Sequence, residues 1–294
     1  MMSSSRRTFS NLRTAVGIAL FAVVPGCATA QHFGERIGVV RGGETDSVRL
    51  AGNGGGGGAR ITPSLNRLVM PMFKSRKDSL EWASARRQAL ASAGYRVIVS
   101  LTDRYLWVLD GEDTLRQAPV AVGRGADLSF DGKKWTFETP RGLRKVLRKE
   151  SDPKWIPPEW AYAEVALEHN LKMRHLTRKS AVTLKDGRRL VVRGDVVGLL
   201  PRRGETGGFA PLPVEEHIVF GNTLYIPPTD TKNRKIEGEL GKYRLDLGNG
   251  YLLHGTPHQA SIGSAATHGC VRLRDEDIEW LYNNVPVGSK VYIF

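Results

Sequence analysis

The residues best suited to chemistry lie between positions 251 and 273. Cys270 is one of two cysteines in the chain, it follows His268 and Gly269 directly, and a second histidine, His254, stands sixteen residues upstream. A free cysteine titrates near ~8.5, so it needs a neighbouring base or cation to become a thiolate at neutral pH. His254 ends a predicted strand and Cys270 follows a glycine-containing loop, so we expect both to meet at one edge of a sheet. This combination predicts nucleophilic catalysis by a thiol and an imidazole.

Two other interpretations of the same residues have to be weighed. Cys270 alone would fit a small buried apolar side chain, the usual role of a lone structural cysteine. His254, His258, His268 and Cys270 would together supply ligands for a metal ion, but they lack the i, i+4 helical pairing and the C-x-x-C spacing that such sites usually show. Spacing therefore favours the nucleophile, and the sequence predicts neither a metal nor an organic cofactor.

The segment resembles the L,D-transpeptidase family, cell-wall enzymes with a histidine followed, a dozen or more residues later, by Ser/Thr-His-Gly-Cys-apolar-Asn/Arg. Here twelve residues separate His254 from Thr267-His268-Gly269-Cys270-Val271-Arg272. The intermediate Ala260-Ser261-Ile262-Gly263 is also similar. Weaker matches lie upstream, at 97–109, 119–123, 139–142 and 241–245, so the resemblance extends over residues 95–294.

The resemblance implies acyl transfer on peptidoglycan stem peptides. Cys270 would attack the carbonyl of the third stem residue and expel the terminal D-Ala, and His254 would move the protons, oriented by the Gly255 carbonyl. The main chain of His268, Gly269 and Cys270 would surround the oxyanion. The expected substrate-binding residues are Arg272, Thr267 and Ser261. Arg272 would bind a stem carboxylate, although a salt bridge that supports the loop is an equal alternative.

The identity of the acyl acceptor stays open at this stage. An amine of another stem would give a 3→3 cross-link, the lysine of a surface protein would give anchoring, and water would make the protein an L,D-carboxypeptidase. A non-catalytic wall-binding module is a different class, which the joint presence of Cys270, His254 and Gly269 disfavours. The resemblance also implies that carbapenems acylate Cys270.

The elements that must position these residues are mainly β-strands. Apolar residues alternate at 97–101 and 105–109, the sequence 185–188 is typical of a hairpin turn, and short strands recur to the C-terminus. Helices are predicted for 65–93, 157–176 and 275–282. We therefore expect a mainly β sandwich or barrel-like catalytic domain over 95–294, preceded by a helical segment at 65–94. A loop-rich insertion of about residues 143–235 interrupts this domain.

The first thirty residues are typical of an export signal. Three arginines precede an apolar run of ten residues, Ala15–Val24, and Ala28-Thr29-Ala30 forms an A-x-A cleavage site. Cys27 ends a sequence similar to a lipoprotein box, so the alternative to cleavage after Ala30 is a lipid on Cys27. Residues 31–64, with five consecutive glycines at 54–58, are predicted to be a flexible linker.

Charge indicates the kind of partner. The formal net charge is +13, and it is still +10 without the predicted signal, which contains arginines but no acids. An exported basic protein suits an anionic wall or lipid headgroups, and no nucleic-acid recognition motif is present. No apolar run approaches the ~18 residues of a membrane span. We therefore expect a protein of the periplasm or cell envelope that contacts a membrane only through a lipid on Cys27.

Overall fold

The computed structural model describes residues 64, 68, 70–179 and 181–294. The predicted signal, Cys27 and the predicted linker up to residue 63 lie outside the described residues, so the expectations for them stay predictions. Among the described helices, none is long and apolar enough to cross a bilayer.

The described residues form a mainly β structure, which confirms the predicted fold class. The three α-helices are α1 (Arg76–Ala91), α2 (Glu159–Glu168) and α3 (Asp275–Asn284). The strands are β1 (Arg96–Ser100), β2 (Tyr105–Asp110), β3 (Asp113–Pro119), β4 (Val122–Gly123), β5 (Asp127–Phe130), β6 (Lys133–Thr136), β7 (Gly142–Lys145), β8 (Arg148–Ser151), β9 (Lys172–His175), β10 (Val182–Thr183), β11 (Arg189–Arg193), β12 (Val196–Leu200), β13 (Ala210–Pro211), β14 (Ile218–Phe220), β15 (Thr223–Ile226), β16 (Tyr243–Asp246), β17 (Leu252–His254), β18 (Ala265–Thr267), β19 (Val271–Arg272) and β20 (Lys290–Ile293).

The largest sheet has the strand order β3-β2-β1-β20-β7 and is covered on both faces. Val97 and Val99 of β1 point into the main core, whereas Ile98 between them packs with Ala85 and Ala89 of α1. All five residues of β1 are buried for this reason. The alternation in the sequence predicts the strand correctly, and α1 explains why its second face is also apolar.

Helix α1 is shorter than the predicted helical segment. It begins at Arg76 because Ser75 caps it: the Ser75 hydroxyl accepts a hydrogen bond from the Asp78 main-chain N–H at 3.1 Å. The prediction of a helix over 65–93 is therefore wrong in its first turns, because it followed apolar spacing and overlooked the capping serine.

A second sheet, of order β19-β17-β16-β8, lies against the main core through Leu245, Leu253 and Val271. Strands β17 and β19 run parallel, with Leu253 opposite Val271 and His254 opposite Arg272. Every second residue of these strands faces away from the core. This outward face carries the candidate site.

The predicted insertion begins later than expected. Its first residues form β7, which pairs with β20, and β8, which pairs with β16, so both belong to the two sheets described above. The part separate from those two sheets follows β8. It contains α2 and the strands β9 to β15, with a core cluster of its own that includes Leu190, Val197 and Leu199.

Within the insertion, one predicted helix is two elements. The sequence predicts a helix over 157–176, but α2 ends at Glu168, Asn170 adopts a left-handed φ of 51°, and β9 follows. Strand β9 pairs in parallel with β15, fifty residues further along the chain. The predicted hairpin is confirmed, since β10 and β11 are antiparallel partners on either side of residues 185–188.

Candidate active site

The parallel register of β17 and β19 brings the predicted nucleophile and base to one cleft. Leu253 of β17 and Val271 of β19 face the core. Because side chains alternate along a strand, Leu252, His254 and Arg272 face outward. Cys270, the residue immediately before β19, faces the same way. These four side chains line a cleft of about 690 Å³. The Cys270 thiol is half-buried there, with Sγ 3.8 Å from the carbonyl oxygen of Gly250.

His254 is held as a neutral imidazole. Its side chain is buried, and Nδ1 lies 2.6 Å from the carbonyl oxygen of Gly255. A carbonyl can only accept, so Nδ1–H is the donor and the lone pair is on Nε2. Burial lowers the pKa of His254 to about 3, with Arg272 acting in the same direction and the Gly255 contact opposing it. His254 is therefore an uncharged base with a fixed tautomer.

The Cys270 thiol is also uncharged at rest. Burial raises the pKa of Cys270, and a backbone hydrogen bond from Leu252 and the positive charge of Arg272 offset only part of this effect. The site thus pairs a neutral thiol with a neutral imidazole.

Two glycines of the predicted site are required by close approaches. At Gly269, φ is +125°, and a Cβ there would stand 3.0 Å from the Glu138 carbonyl oxygen and 3.1 Å from the Tyr251 ring. Gly255 faces Gly241, where φ is +65° and a Cβ would be 2.7 Å from the backbone of Gly255. Larger residues would displace the backbone on either side of the nucleophile and the base.

The Thr267 hydroxyl is engaged inside the nucleophile loop. It donates to the carbonyl oxygen of Cys270 at 2.6 Å and accepts from the N–H of Gly269 at 3.1 Å. These two hydrogen bonds fold the loop into a tight turn. The Gly269 amide is consequently occupied, which leaves the amides of His268 and Cys270 to fill the predicted oxyanion role.

The His268 side chain points towards the insertion. Its ring stacks on Trp160 with centroids 4.0 Å apart and meets the Phe137 ring edge-on at 4.6 Å. Nε2 lies 3.1 and 3.0 Å from the two carboxylate oxygens of Glu164. Trp160 and Glu164 both belong to α2, so an element of the insertion contacts the residue two positions before the nucleophile.

Arg272 and a buried acid, Glu239, line the same cleft as His254. Glu239 has a side chain only 12% exposed, and its carboxylate is 3.8 Å from Nε2 of His258. Burial raises the pKa of Glu239, whereas the charges of His258 and Arg272 oppose the rise. The cleft thus presents a guanidinium and a carboxylate close to the reacting pair.

Ser261, by contrast, supports the loop from outside the cleft. It ends a short 3₁₀ turn, and its hydroxyl donates to the His258 carbonyl oxygen at 2.7 Å. Ser261 is not among the residues that line the cleft. The geometry therefore favours a structural role for Ser261 over contact with substrate.

The four residues of the metal interpretation are directed to different partners. His268 contacts Glu164, His258 faces Glu239, and His254 donates to the main chain. Within residues 70–179 and 181–294, no group of three or more His, Cys, Asp or Glu side chains is arranged to hold a metal ion.

Sequence reasoning missed Glu164, Trp160 and Glu239. Trp160 and Glu164 are four residues apart on a helix, which places them on one face, but nothing local indicates that this face meets a histidine a hundred residues later. Glu239 precedes the matched segment at 241–245 and stands in a loop. The spacing of Trp160 and Glu164 was the one signal available.

Comparison with known proteins places the chain in a family. The model of the L,D-transpeptidase catalytic domain (YkuD) matches residues 94–293. The probable L,D-transpeptidase YbiS of Escherichia coli strain K12 is 47% identical over 55 residues, which are 19% of this chain and 18% of that protein. The putative L,D-transpeptidase YkuD of Bacillus subtilis strain 168 is 37% identical over 82 residues, 26% and 50% of the two chains. The chain thus covers half or less of the length of these curated relatives.

Solved structures show more distant similarity. An L,D-transpeptidase from Xylanimonas cellulosilytica is 14% identical with a TM-score of 0.36, covering 69% of this chain and 62% of that one. The catalytic domain from E. faecium L,D-transpeptidase is 14% identical with a TM-score of 0.35, covering 69% and 99%. The family model carries the assignment because it matches well over half of the sequence. On that match, the chain belongs to the L,D-transpeptidase catalytic-domain family.

Proposed function

We propose that the protein is an exported cysteine L,D-transpeptidase that acts on tetrapeptide stems of peptidoglycan. The observation that carries the proposal is the placement of His254 at the end of β17 and of Cys270 immediately before the parallel strand β19, both lining one cleft, with the lone pair of His254 on Nε2. Membership of the family supplies the substrate class. The reaction uses only groups of this chain and the two peptides.

In the first step, Sγ of Cys270 attacks the carbonyl carbon of the third stem residue while the thiol proton passes to Nε2 of His254. A carbon–sulfur bond forms, and the negative charge moves to the carbonyl oxygen. When the tetrahedral intermediate collapses, the carbon–nitrogen bond to D-Ala breaks and His254 returns the proton to the leaving amine. The products are a thioester at Cys270 and free D-Ala.

Surrounding groups stabilise this step. The amides of His268 and Cys270 face the oxyanion, since the Gly269 amide is engaged by Thr267. Arg272, on the cleft face beside His254, binds a carboxylate of the stem. Thr267 contributes by holding the turn, and we assign Ser261 to the support of the neighbouring loop rather than to substrate.

In the second step, an amine of another stem attacks the thioester. A carbon–nitrogen bond forms, the carbon–sulfur bond breaks, and the amine proton passes through His254 back to Sγ. The product is a 3→3 cross-link between two stems. Use of a protein lysine in place of the stem amine would attach an envelope protein by the same chemistry.

The location follows from the substrate and from the N-terminal sequence. We propose export to the periplasm or cell envelope through the signal at residues 1–30, with the lipid on Cys27 as the alternative to cleavage after Ala30. Globomycin, which blocks lipoprotein processing, distinguishes the two. Accumulation of a precursor indicates a lipoprotein, and unaffected cleavage after Ala30 indicates a free enzyme.

The proposal is tested by mass spectrometry of tetrapeptide muropeptides incubated with the protein lacking its first thirty residues. We expect release of D-Ala and a dimer whose mass is two tetrapeptide muropeptides minus D-Ala, with Cys270→Ala as the control that forms neither. Free tripeptide without dimer would identify an L,D-carboxypeptidase. Unchanged muropeptides would favour the non-catalytic wall-binding module.

A carbapenem provides a second readout of the nucleophile. A strained β-lactam carbonyl is attacked by the same thiol, so each chain should gain the mass of one drug molecule at Cys270. The Cys270→Ala variant should gain none. A free, titratable thiol that forms no adduct would contradict the assignment of Cys270.

A further inference from the structure

Helix α2 of the insertion holds the nucleophile loop by a charged contact and by a stacking contact. The carboxylate of Glu164 reaches Nε2 of His268 at 3.0 Å, and Trp160 stacks on the same imidazole at 4.0 Å with the planes only 15° apart. The side chain of Glu164 is 11% exposed, so this is an interior contact rather than a surface ion pair. The ring of His268 can neither rotate nor leave without breaking both contacts.

A second connection runs from Glu164 to the same loop through Arg124. The guanidinium of Arg124 contacts the Glu164 carboxylate and lies over the Phe137 ring at 4.5 Å, and its main-chain N–H donates to the Thr267 carbonyl oxygen at 2.9 Å. The Thr267 hydroxyl also donates to the carbonyl oxygen of Cys270, which closes the tight turn there. Glu164 is thus joined to both the main chain and a side chain of the segment that carries the nucleophile.

The protonation states of the group are consistent with a fixed hydrogen bond. Burial raises the pKa of Glu164, but His268 and Arg124 together lower it by more. The pKa therefore lies below its ordinary value, and the carboxyl is ionised. Burial lowers the pKa of His268, and Glu164 opposes this only in part. An ionised carboxylate accepts, so Nε2 of a neutral His268 carries the proton and Nδ1 does not.

We propose that Glu164 is a positioning residue of the transfer reaction, which acts through His268 on the main chain that carries Cys270. This rests on the proposed function and deepens it, because it makes α2 of the insertion part of the catalytic apparatus. His268 then serves as an anchor for the oxyanion amides and not as a proton donor, since its N–H is directed at Glu164. A small displacement of this turn moves Sγ and the amides together.

The same helix offers a matched control. Glu159, one and a half turns earlier on α2, also contacts a histidine: its carboxylate is 3.2 Å from Nε2 of His175 and 2.7 Å from Nζ of Lys133. His175 belongs to β9 of the insertion, away from the nucleophile loop. Glu159→Gln therefore alters a carboxylate–histidine contact of the same helix without touching the turn at Cys270.

The kinetic test compares Glu164→Ala, Glu164→Gln and Glu159→Gln on tetrapeptide muropeptides. Misplacement of reacting groups by about 1 Å costs up to ~10²-fold in rate, so we expect kcat of Glu164→Ala to fall roughly 10- to 100-fold with KM little changed. Gln keeps an oxygen that accepts from Nε2, so Glu164→Gln should recover part of the loss. The proposal would be overturned if Glu164→Ala kept the wild-type kcat. It would also be overturned if Glu159→Gln lost as much kcat as Glu164→Ala.

A spectroscopic test does not depend on activity. Long-range ¹H–¹⁵N correlation should show His268, assigned through His268→Gln, as the pure Nε2–H tautomer in the wild type and as a mixture in Glu164→Ala. An unchanged tautomer would overturn the inference even if kcat falls. If Glu164→Ala shows the tautomer change but the wild type has no activity on muropeptides, the proposed function is refuted instead. If the alanine variant fails to fold, Glu164→Leu, which fills more of the space but offers no acceptor to Nε2, carries the same comparison.

Discussion

At the scale of single residues, the site is built from groups that are neutral until they react. Burial lowers the pKa of His254 to about 3 and raises the pKa of Cys270, so neither carries charge at neutral pH. The hydrogen bond from Nδ1 to the Gly255 carbonyl then determines the tautomer and orientation of the His254 ring, so that the free lone pair lies on Nε2. The base strength of His254 is set first by burial and then by the positive charge of Arg272.

A buried neutral histidine makes stability depend on pH. The unfolded chain binds a proton at His254 near pH ~6.5, whereas the folded chain does not until about pH 3. Stability from this group is therefore complete above pH ~6.5 and is lost as the pH falls towards 3, at up to about 1.4 kcal/mol per pH unit. In urea denaturation between pH 7 and 4, His254→Gln should show a shallower fall in the free energy of unfolding. Equal slopes for the two proteins would contradict the burial of a neutral imidazole.

The chemistry at this scale could be predicted from the sequence because it depends on a short segment. Cys270, His254 and Arg272 lie within twenty residues and face one cleft. Glu164 could not be found in the same way, since it meets His268 across a hundred residues of sequence, and Glu239 stands in a loop outside the motif. The pKa directions are also beyond the sequence, because they follow from burial.

At the scale of elements, two turns fix the base. Gly241 precedes β16 and lies against Gly255, which follows β17, so the chain entering one strand touches the chain leaving its neighbour. The main chain of Gly255 is the acceptor for His254. Contact between two backbones therefore helps to fix the acceptor that orients the His254 ring.

Alanine variants of two glycines in one loop distinguish the effect of this contact from the effect of backbone strain alone. Gly238 has φ +77° with nothing within 4 Å of an added Cβ, whereas Gly241 has φ +65° with the Gly255 backbone at 2.7 Å. Both alanine variants lose about 1–2 kcal/mol to the left-handed backbone. Only Gly241→Ala also displaces Gly255, so we expect it to lose further stability in urea denaturation and at least several-fold in kcat/KM. Equal kcat/KM values for Gly238→Ala and Gly241→Ala would refute the role of the contact.

Element boundaries show where local pattern stops being informative. Residues 171–174 are Leu, Lys, Met and Arg, all good helix formers, yet β9 forms there because β15 offers a parallel partner fifty residues later. Asn170, with its left-handed φ, marks the end of the helix. Similarly, the residues of β7 and β8 lie at the start of the predicted insertion, but these strands pair with β20 and β16. Strand partners that are distant in sequence therefore determine which sheet they join.

At the scale of the whole molecule, the insertion adds both a support and a basic surface. Between residues 172 and 211 there are ten lysines and arginines against three acids. Arg202 and Arg203 lie between β12 and β13 and are exposed. Arg202 lies 3.7 Å from Glu205, and outside the insertion Arg141 and Arg148 contact Asp78 and Asp246. The stretch that contains β9 to β13 is therefore a basic part of the chain with exposed arginines.

We expect this surface to strengthen attachment to an anionic wall. Attraction between exposed charges decays over ~8 Å at physiological ionic strength, so sedimentation with purified sacculi should weaken steeply as salt rises. Charge reversal at Arg202 and Arg203 should weaken binding at low salt and flatten this dependence. The same reversal at Lys77 and Arg87 of α1 is the matched control. Turnover of a small soluble tetrapeptide should change little in all of them. Salt-independent sedimentation, or an equal effect of both reversals, would contradict the electrostatic role.

The central claim is that Cys270 carries the stem as a thioester, and intact-protein mass spectrometry tests it most directly. The protein without its first thirty residues is mixed with a tetrapeptide muropeptide, quenched in acid within the first turnovers, and digested to locate the adduct. We predict an added mass equal to the muropeptide minus D-Ala, located on Cys270 and removed by hydroxylamine. The Cys270→Ala variant should stay folded and unmodified, since loss of a half-buried thiol leaves only a small cavity. Release of D-Ala by Cys270→Ala at the wild-type rate, with no adduct on the wild type, would contradict the account.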